Sequence, residues 1–357
     1  MTVKKQRNGK ISFWKFMFSL LIIAYHIGFY YDNSVRIFTG GYIGVEFFFI
    51  ISGYYLCKKC INHKQIENSK IGLETFNHIF NKIKKLSPYI TGLLVMGFPI
   101  SIFISKLSIY NYSSAIMNLL FIPNPEGQVF SLYVIIWYIT AMLIVEAMLF
   151  PILIKYKKNY VYNISFLLVF FLLSHMIIRY GNITDPWDYA TYSYKGIIRA
   201  LLDMNIGIMI YGILDRFKRI EFTDFSKFVL TIIEIVGYSS IFYISNMGAY
   251  KYDIIMLGII LICLIISFSE KAYLVDFSNN RLFYYMEKLS VPIYINQYIL
   301  IELLYYFIKQ FHLIVPIRYG IVIVIIASII FAIIYSKFLE YILKHKNKIK
   351  SIFILEK

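Results

Sequence analysis

Cysteine is scarce: Cys57, Cys60 and Cys263 are the three in a chain of 357 residues. Cys57 and Cys60 form a CKKC, and no second pair of ligands is present to complete a zinc site. All three read as inert thiols, and no metal and no bound cofactor are expected. Acid is scarce as well. Asp and Glu number 20 against 36 Lys and Arg, a formal net charge of +16. That excess invites a nucleic-acid surface, but the placement of the charge along the chain argues against one. The apolar runs do not alternate with polar residues, which excludes the strands of a membrane barrel. The first apolar stretch contains a histidine, has no small-residue cleavage site and runs on into a second helix. It is therefore read as a helix of the mature protein and not as a signal peptide. No repeat of fixed period is found, no low-complexity segment beyond a lysine-rich tail, and no appended soluble domain.

What is present is apolar length. The chain is 59% hydrophobic and 19% aromatic, with a mean hydropathy of +0.65. Runs of about 20 apolar residues recur, long enough to cross a bilayer as helices. The expected fold is an all-α polytopic membrane protein, one domain over 1–357 with a basic cytoplasmic tail at 337–357. About ten transmembrane helices are placed at 13–31, 41–57, 86–105, 130–154, 159–178, 196–214, 228–246, 252–269, 288–308 and 316–336. With both termini cytoplasmic, 28 of the 36 Lys and Arg fall in inner segments and 7 in outer ones, Arg199 lying within a helix. Inner loops are expected to carry such an excess. The basic charge thus reads as an orientation signal, with membrane lipids and not nucleic acid as partners.

The stretch Gly41 to Tyr55, GYIGVEFFFIISGYY, organises the rest. Gly41, Gly44 and Gly53 would let another backbone come close, as small residues do between membrane helices. Glu46 in such a run is costly in hydrocarbon, which points it to the protein interior and a partner. Just upstream, Lys15 and His26 are eleven residues apart. At about 100° per residue this returns to within ~20° after three turns, and about 16 Å along the axis, so both lie on one helix face. Lys15 falls at the cytoplasmic mouth, where its ammonium suits a phosphate or simply marks the inner side. His26 falls in the outer half, where it is either a packing histidine or a general base toward an alcohol.

Other candidates are weaker singly. Segment 58–85 is polar and basic, and its end, NHIFNKIKKL, reads as an amphipathic helix on the membrane surface. Lys82 and Lys85 on it, with Lys84 nearby, face an anionic ligand or anionic headgroups. Arg199 and Asp203 stand at i, i+4 and could pair. Glu146, Glu234 and Glu302 are lone acids within helices. Asn296 and Gln297 read as helix-to-helix glue. The outer segment 107–129 carries a turn region. The outer segment 179–195, RYGNITDPWDYATYSYK, is either an interfacial aromatic belt or a sugar-binding rim.

These residues carry a resemblance. GYIGVEFFFIISGYYL resembles the second-helix signature of the acyltransferase-3 family of bacterial membrane proteins, with Gly41, Gly44, Val45, Glu46, Phe48, Phe49, Ser52, Gly53 and Tyr54 in place. Lys15 and His26 are similar to the family's basic-x10-His element, lysine standing where arginine is usual. Lys82, Lys85 and Pro88 resemble its RxxR…P element, again with lysines, which lose the bidentate fork of arginine. Trp137, Glu146 and Pro151 are similar to its Trp…Glu…Pro helix, the acid lying later than usual. Arg199 to Gly207 resembles its Arg…Gly helix. SVPIYINQYI is similar to its ninth-helix element, with Asn296 where histidine is common.

The resemblance implies an O-acyltransferase of the bacterial cytoplasmic membrane. It would move an acetyl group from acetyl-CoA, the acyl donor, to a hydroxyl of a lipid-linked or surface polysaccharide. His26 would be the base or a transient acyl carrier, and Glu46 its orienter or a cavity carboxylate. Lys15, Lys82, Lys85 and Arg199 would serve the donor. Two rivals remain open, a membrane exporter of glycan precursors and a non-catalytic partner in a glycan-synthesis complex.

Overall fold

Asn8 opens the first helix by accepting the Ile11 N–H through its side chain at 3.2 Å, which satisfies one of the amides a helix start leaves bare. Helix α1 then runs Gly9–Ile27, about 28 Å at 1.5 Å per residue, the thickness of a bilayer core. The computed structural model describes residues 8–28, 37–64, 66–103, 137–183, 189–190, 193–217, 219–248, 250–273 and 280–354. The expected turn region at 107–129 lies outside them.

Helix α2 spans Ile43–Ile61 and packs between α1 and α6 (Lys195–Phe217). Its glycines explain the closeness. A Cβ on Gly44 would stand 2.7 Å from Ile22 of α1, and one on Gly53 would collide with the Met204 carbonyl of α6. Gly207 of α6 answers in kind, since a Cβ there would collide with the Ile50 carbonyl. Two glycines, one from each helix, thus bring the α2 and α6 backbones together.

Helix α3 is a single element, Ile71–Phe103. A surface helix ending at 85 and a separate span beginning at 86 were expected, and the chain instead continues through Pro88. Proline removes one amide from the helix ladder and frees the carbonyl four residues before it, which a nearby hydroxyl can satisfy. Here the Ser87 hydroxyl donates to that carbonyl, of Lys84, at 3.4 Å, and the Tyr335 hydroxyl donates to the Pro88 carbonyl itself at 2.6 Å. The N-terminal half of α3 still presents an amphipathic face, with Leu73, Phe76 and Phe80 exposed.

Helix α4 (Trp137–Asn159) breaks at Lys157, whose φ of 42° is non-helical, and a wide turn at Tyr160–Ile164 leads into α5 (Ser165–Tyr180). Gly181 closes α5 at φ 67°, its N–H donating to the Ile177 carbonyl at 2.9 Å, the left-handed end that glycine tolerates best. A two-residue antiparallel pair follows, Tyr189–Ala190 (β1) with Ser193–Tyr194 (β2). Of the expected sugar rim, Asp185, Trp187, Asp188 and Tyr192 lie outside the described residues. Beyond α6 come α7 (Asp224–Ile244), α8 (Asp253–Ser269), α9 (Arg281–Gln310) and α10 (Ile317–Ile354).

Apart from the β1–β2 pair, the regular elements among the described residues are helices. Six helical stretches among them are long and apolar enough to cross a membrane: Gly9–Ile27, Trp137–Tyr180, Lys195–Phe217, Asp224–Ile244, Arg281–Gln310 and Ile317–Ile342. Helix α2 carries Glu46, Lys58 and Lys59, and α8 has 17 residues. Burial sorts inside from outside. The apolar part of α6 is 67% buried and that of α1 56%, against 22% for α7 and 33% for α10. Helices α1, α2, α6 and α9 therefore form the interior, and α7 and α10 turn apolar faces outward.

Candidate active site

Helices α1 and α9 run side by side in the same direction and are tied at two levels. Near the start of α1, the Lys15 ammonium donates to Glu287 Oε1 of α9 at 2.8 Å, and the Ser12 hydroxyl donates to Glu287 Oε2 at 2.8 Å. Lys15 also stands 5.3 Å from the Tyr55 ring centre. Eleven residues on, His26 Nδ1 meets Gln297 Oε1 of α9 at 3.3 Å. The steps of eleven residues on one helix and ten on the other correspond to about 16 and 15 Å of rise, so the two helices keep register between the contacts. The face shared by Lys15 and His26 is the face α1 turns to α9.

The amide of Gln297 has a defined direction. Its Nε2 donates to the Tyr294 carbonyl at 2.9 Å, which leaves Oε1, an acceptor, toward His26. A neutral His26 then carries its proton on Nδ1 and its lone pair on Nε2, the form a general base requires. Glu46 was expected as the orienter of His26 or as a cavity carboxylate. Among the described residues no hydrogen bond joins the two, and Gln297 fills that place.

Glu46 is spent on Arg199. The guanidinium Nε of α6 donates to Glu46 Oε1 at 2.5 Å, both side chains being almost wholly buried. A second guanidinium nitrogen lies 3.4 Å from the Tyr42 carbonyl, and the group sits over the Trp137 ring at 5.3 Å. Asp203, one turn further along α6, is 1% exposed. Neither of its carboxylate oxygens has a hydrogen-bond partner, so the i, i+4 hydrogen bond from Arg199 is not made. Arg199 turns instead across the α2–α6 seam that Gly53 and Gly207 hold tight. Tyr42, whose carbonyl it reaches, is anchored from the other side. Its hydroxyl donates to Asp253 at 2.6 Å and accepts the Tyr250 N–H at 2.6 Å.

A third cluster lies between α2, α3 and α4. Lys82 donates to Glu146 Oε1, and His78 Nε2 stands 3.0 Å from Glu146 Oε2. Lys59 Nζ lies 2.6 Å from His78 Nδ1. Lysine can only donate, so Nδ1 accepts and Nε2 carries the proton toward Glu146. The His78 ring stacks on Phe150 at 4.5 Å. Lys84 and Lys85, by contrast, are exposed.

The sequence candidates thus separate. Lys15 and His26 share the α1–α9 seam, Glu46 and Arg199 form one buried pair, Lys82 is held by Glu146, and Lys85 stands outside the cluster. Glu234 belongs elsewhere, in a buried pair with Lys10 at 2.7 Å. Gln297, Glu287, His78 and Lys59 were not singled out for chemistry. His78 had a signal, standing one turn from Lys82 on the same helix. Gln297 is the neighbour of Asn296, and nothing in the sequence told glue from orienter.

No curated protein and no solved structure matches the chain. The Acyl_transf_3 family model, described as an acyltransferase domain, matches residues 8–337, from the cap of α1 into α10. The chain belongs to this acyltransferase family.

Proposed function

We propose that this protein is an O-acyltransferase that moves an acetyl group from cytoplasmic acetyl-CoA to a hydroxyl of a lipid-linked or surface polysaccharide. It would sit in the bacterial cytoplasmic membrane with about ten spans and both termini inside. The single observation that carries the reading is the α1–α9 seam. A cation stands at one end of it and a histidine with its Nε2 lone pair available at the other, about 16 Å apart.

In this reading the donor phosphates meet Lys15, Lys82 and Lys85 on the inner side, and the acyl end reaches up the seam toward His26. Lys15 would exchange Glu287 for phosphate. His26 Nε2 takes the proton of the acceptor hydroxyl as its oxygen attacks the acyl carbon. The C–O bond forms, the C–S bond breaks with its electron pair on sulfur, and the proton finishes on the released thiol. Gln297 holds the ring through the transfer. Arg199 and Glu46, a buried pair joining α6 to α2, would hold α2 in place beside α1.

The test is proton NMR of the host's purified surface glycan. A deletion strain is complemented with wild type or with His26→Ala, and the variant is shown to be in the membrane. O-acetyl signals returning with wild type alone support the reading. Full restoration by His26→Ala removes His26 from the chemistry. Intact acetylation with less surface glycan in the deletion strain points to export.

A further inference from the structure

The buried charges between α2 and α6 do not balance. Arg199 brings one guanidinium, and two acids stand beside it, Glu46 across the seam and Asp203 one turn along the same helix. These are the charged groups that act on Asp203. Glu46 takes the guanidinium through Oε1 at 2.5 Å, while Glu46 Oε2 and both oxygens of Asp203 are buried with no hydrogen-bond partner. An ionised carboxylate in that position would carry a buried charge that no protein group compensates, and such a group takes up a proton instead. Met204, next to Asp203 in the chain, is where the α6 backbone meets Gly53 of α2.

We propose that Glu46 and Asp203 together hold one exchangeable proton, resting on Asp203, the acid that the Arg199 guanidinium does not reach.

The test is infrared spectroscopy of the purified full-length protein in lipid nanodiscs, in H2O and in D2O. Wild type minus Asp203→Asn should show one carbonyl band of a protonated carboxylic acid that shifts in D2O. Wild type minus Glu46→Gln should show it as well, because either substitution leaves a single carboxylate to pair with Arg199. The second variant keeps the test readable if the first fails to fold. No such band in either difference spectrum means that neither acid holds a proton, and the proposal falls, whatever band of another acid persists in both variants. The measurement needs no substrate, so it stands or falls apart from the acyltransferase reading.

Discussion

Gln297 spends its amide nitrogen on the Tyr294 carbonyl and its amide oxygen on His26 Nδ1, at 2.9 and 3.3 Å. One side chain thereby sets both the rotation and the tautomer of the histidine. Removing it would free the ring without touching the donor.

Gln297→Ala is accordingly expected to lower the rate of acetyl transfer by about one to two orders of magnitude, with the donor KM nearly unchanged. Gln297→Glu keeps an acceptor for Nδ1 but loses the donor to the Tyr294 carbonyl, and its rate should fall between those of Gln297→Ala and wild type. Steady-state kinetics of the purified protein checks both. Equal losses in the two variants would mean that packing, and not the acceptor, is what matters at 297.

The Arg199–Glu46 pair should behave as a unit. Arg199→Ala strands an acid in the core and is expected to cost about 3–5 kcal/mol. Glu46→Gln in the same chain should recover part of that loss, because the stranded charge is gone. Thermal unfolding of the two single variants and the double variant gives the coupling, and additive effects would contradict the pairing.

Lysines 82 and 85 should differ although they stand three residues apart. Lys82 is held on Glu146 inside the α3–α4 contact, whereas Lys85 is exposed. Lys82→Ala should both raise the donor KM and destabilise the protein, since it leaves Glu146 to His78 alone. Lys85→Ala should raise the donor KM with the melting temperature unchanged, and the effect should shrink at high salt, as an exposed charge is screened. Donor titrations at two ionic strengths decide it.

Gly53 and Gly207 should tolerate no side chain. A Cβ on either meets the carbonyl of the opposite helix, which is backbone and cannot rotate away. Gly53→Val or Gly207→Val should sharply reduce the folded protein recovered from the membrane, while Gly72→Ala, with open space around it, should not. Fluorescence-detected size-exclusion profiles of the three variants would show this, and normal profiles for the valines would deny the close approach.

Much of this was legible before any tertiary structure. Apolar run lengths specified membrane helices, because a bilayer leaves a spanning segment no other way to satisfy its backbone. The glycines of 41–55 announced a close helix contact, since nothing else needs so many in an apolar run. The common face of Lys15 and His26 follows from helix period alone. The stretch from Lys85 to Pro88 reads as a helix boundary in the sequence and is not one: Ser87 donates to the Lys84 carbonyl that the proline leaves free, and Tyr335, 247 residues away, holds the Pro88 carbonyl from another helix.

What only the tertiary structure decided is partnership. Arg199 had an acid one turn away on its own helix and took another 153 residues distant, and His26 found Gln297 across 271 residues. A single helix determines which side chains share its face, through a repeat that any stretch of sequence displays. Which other helix that face meets depends on how all the faces pack at once. The glycine contacts that settle α2 against α6, and so send Arg199 to Glu46 and leave Asp203 alone, exist only when both helices are in place.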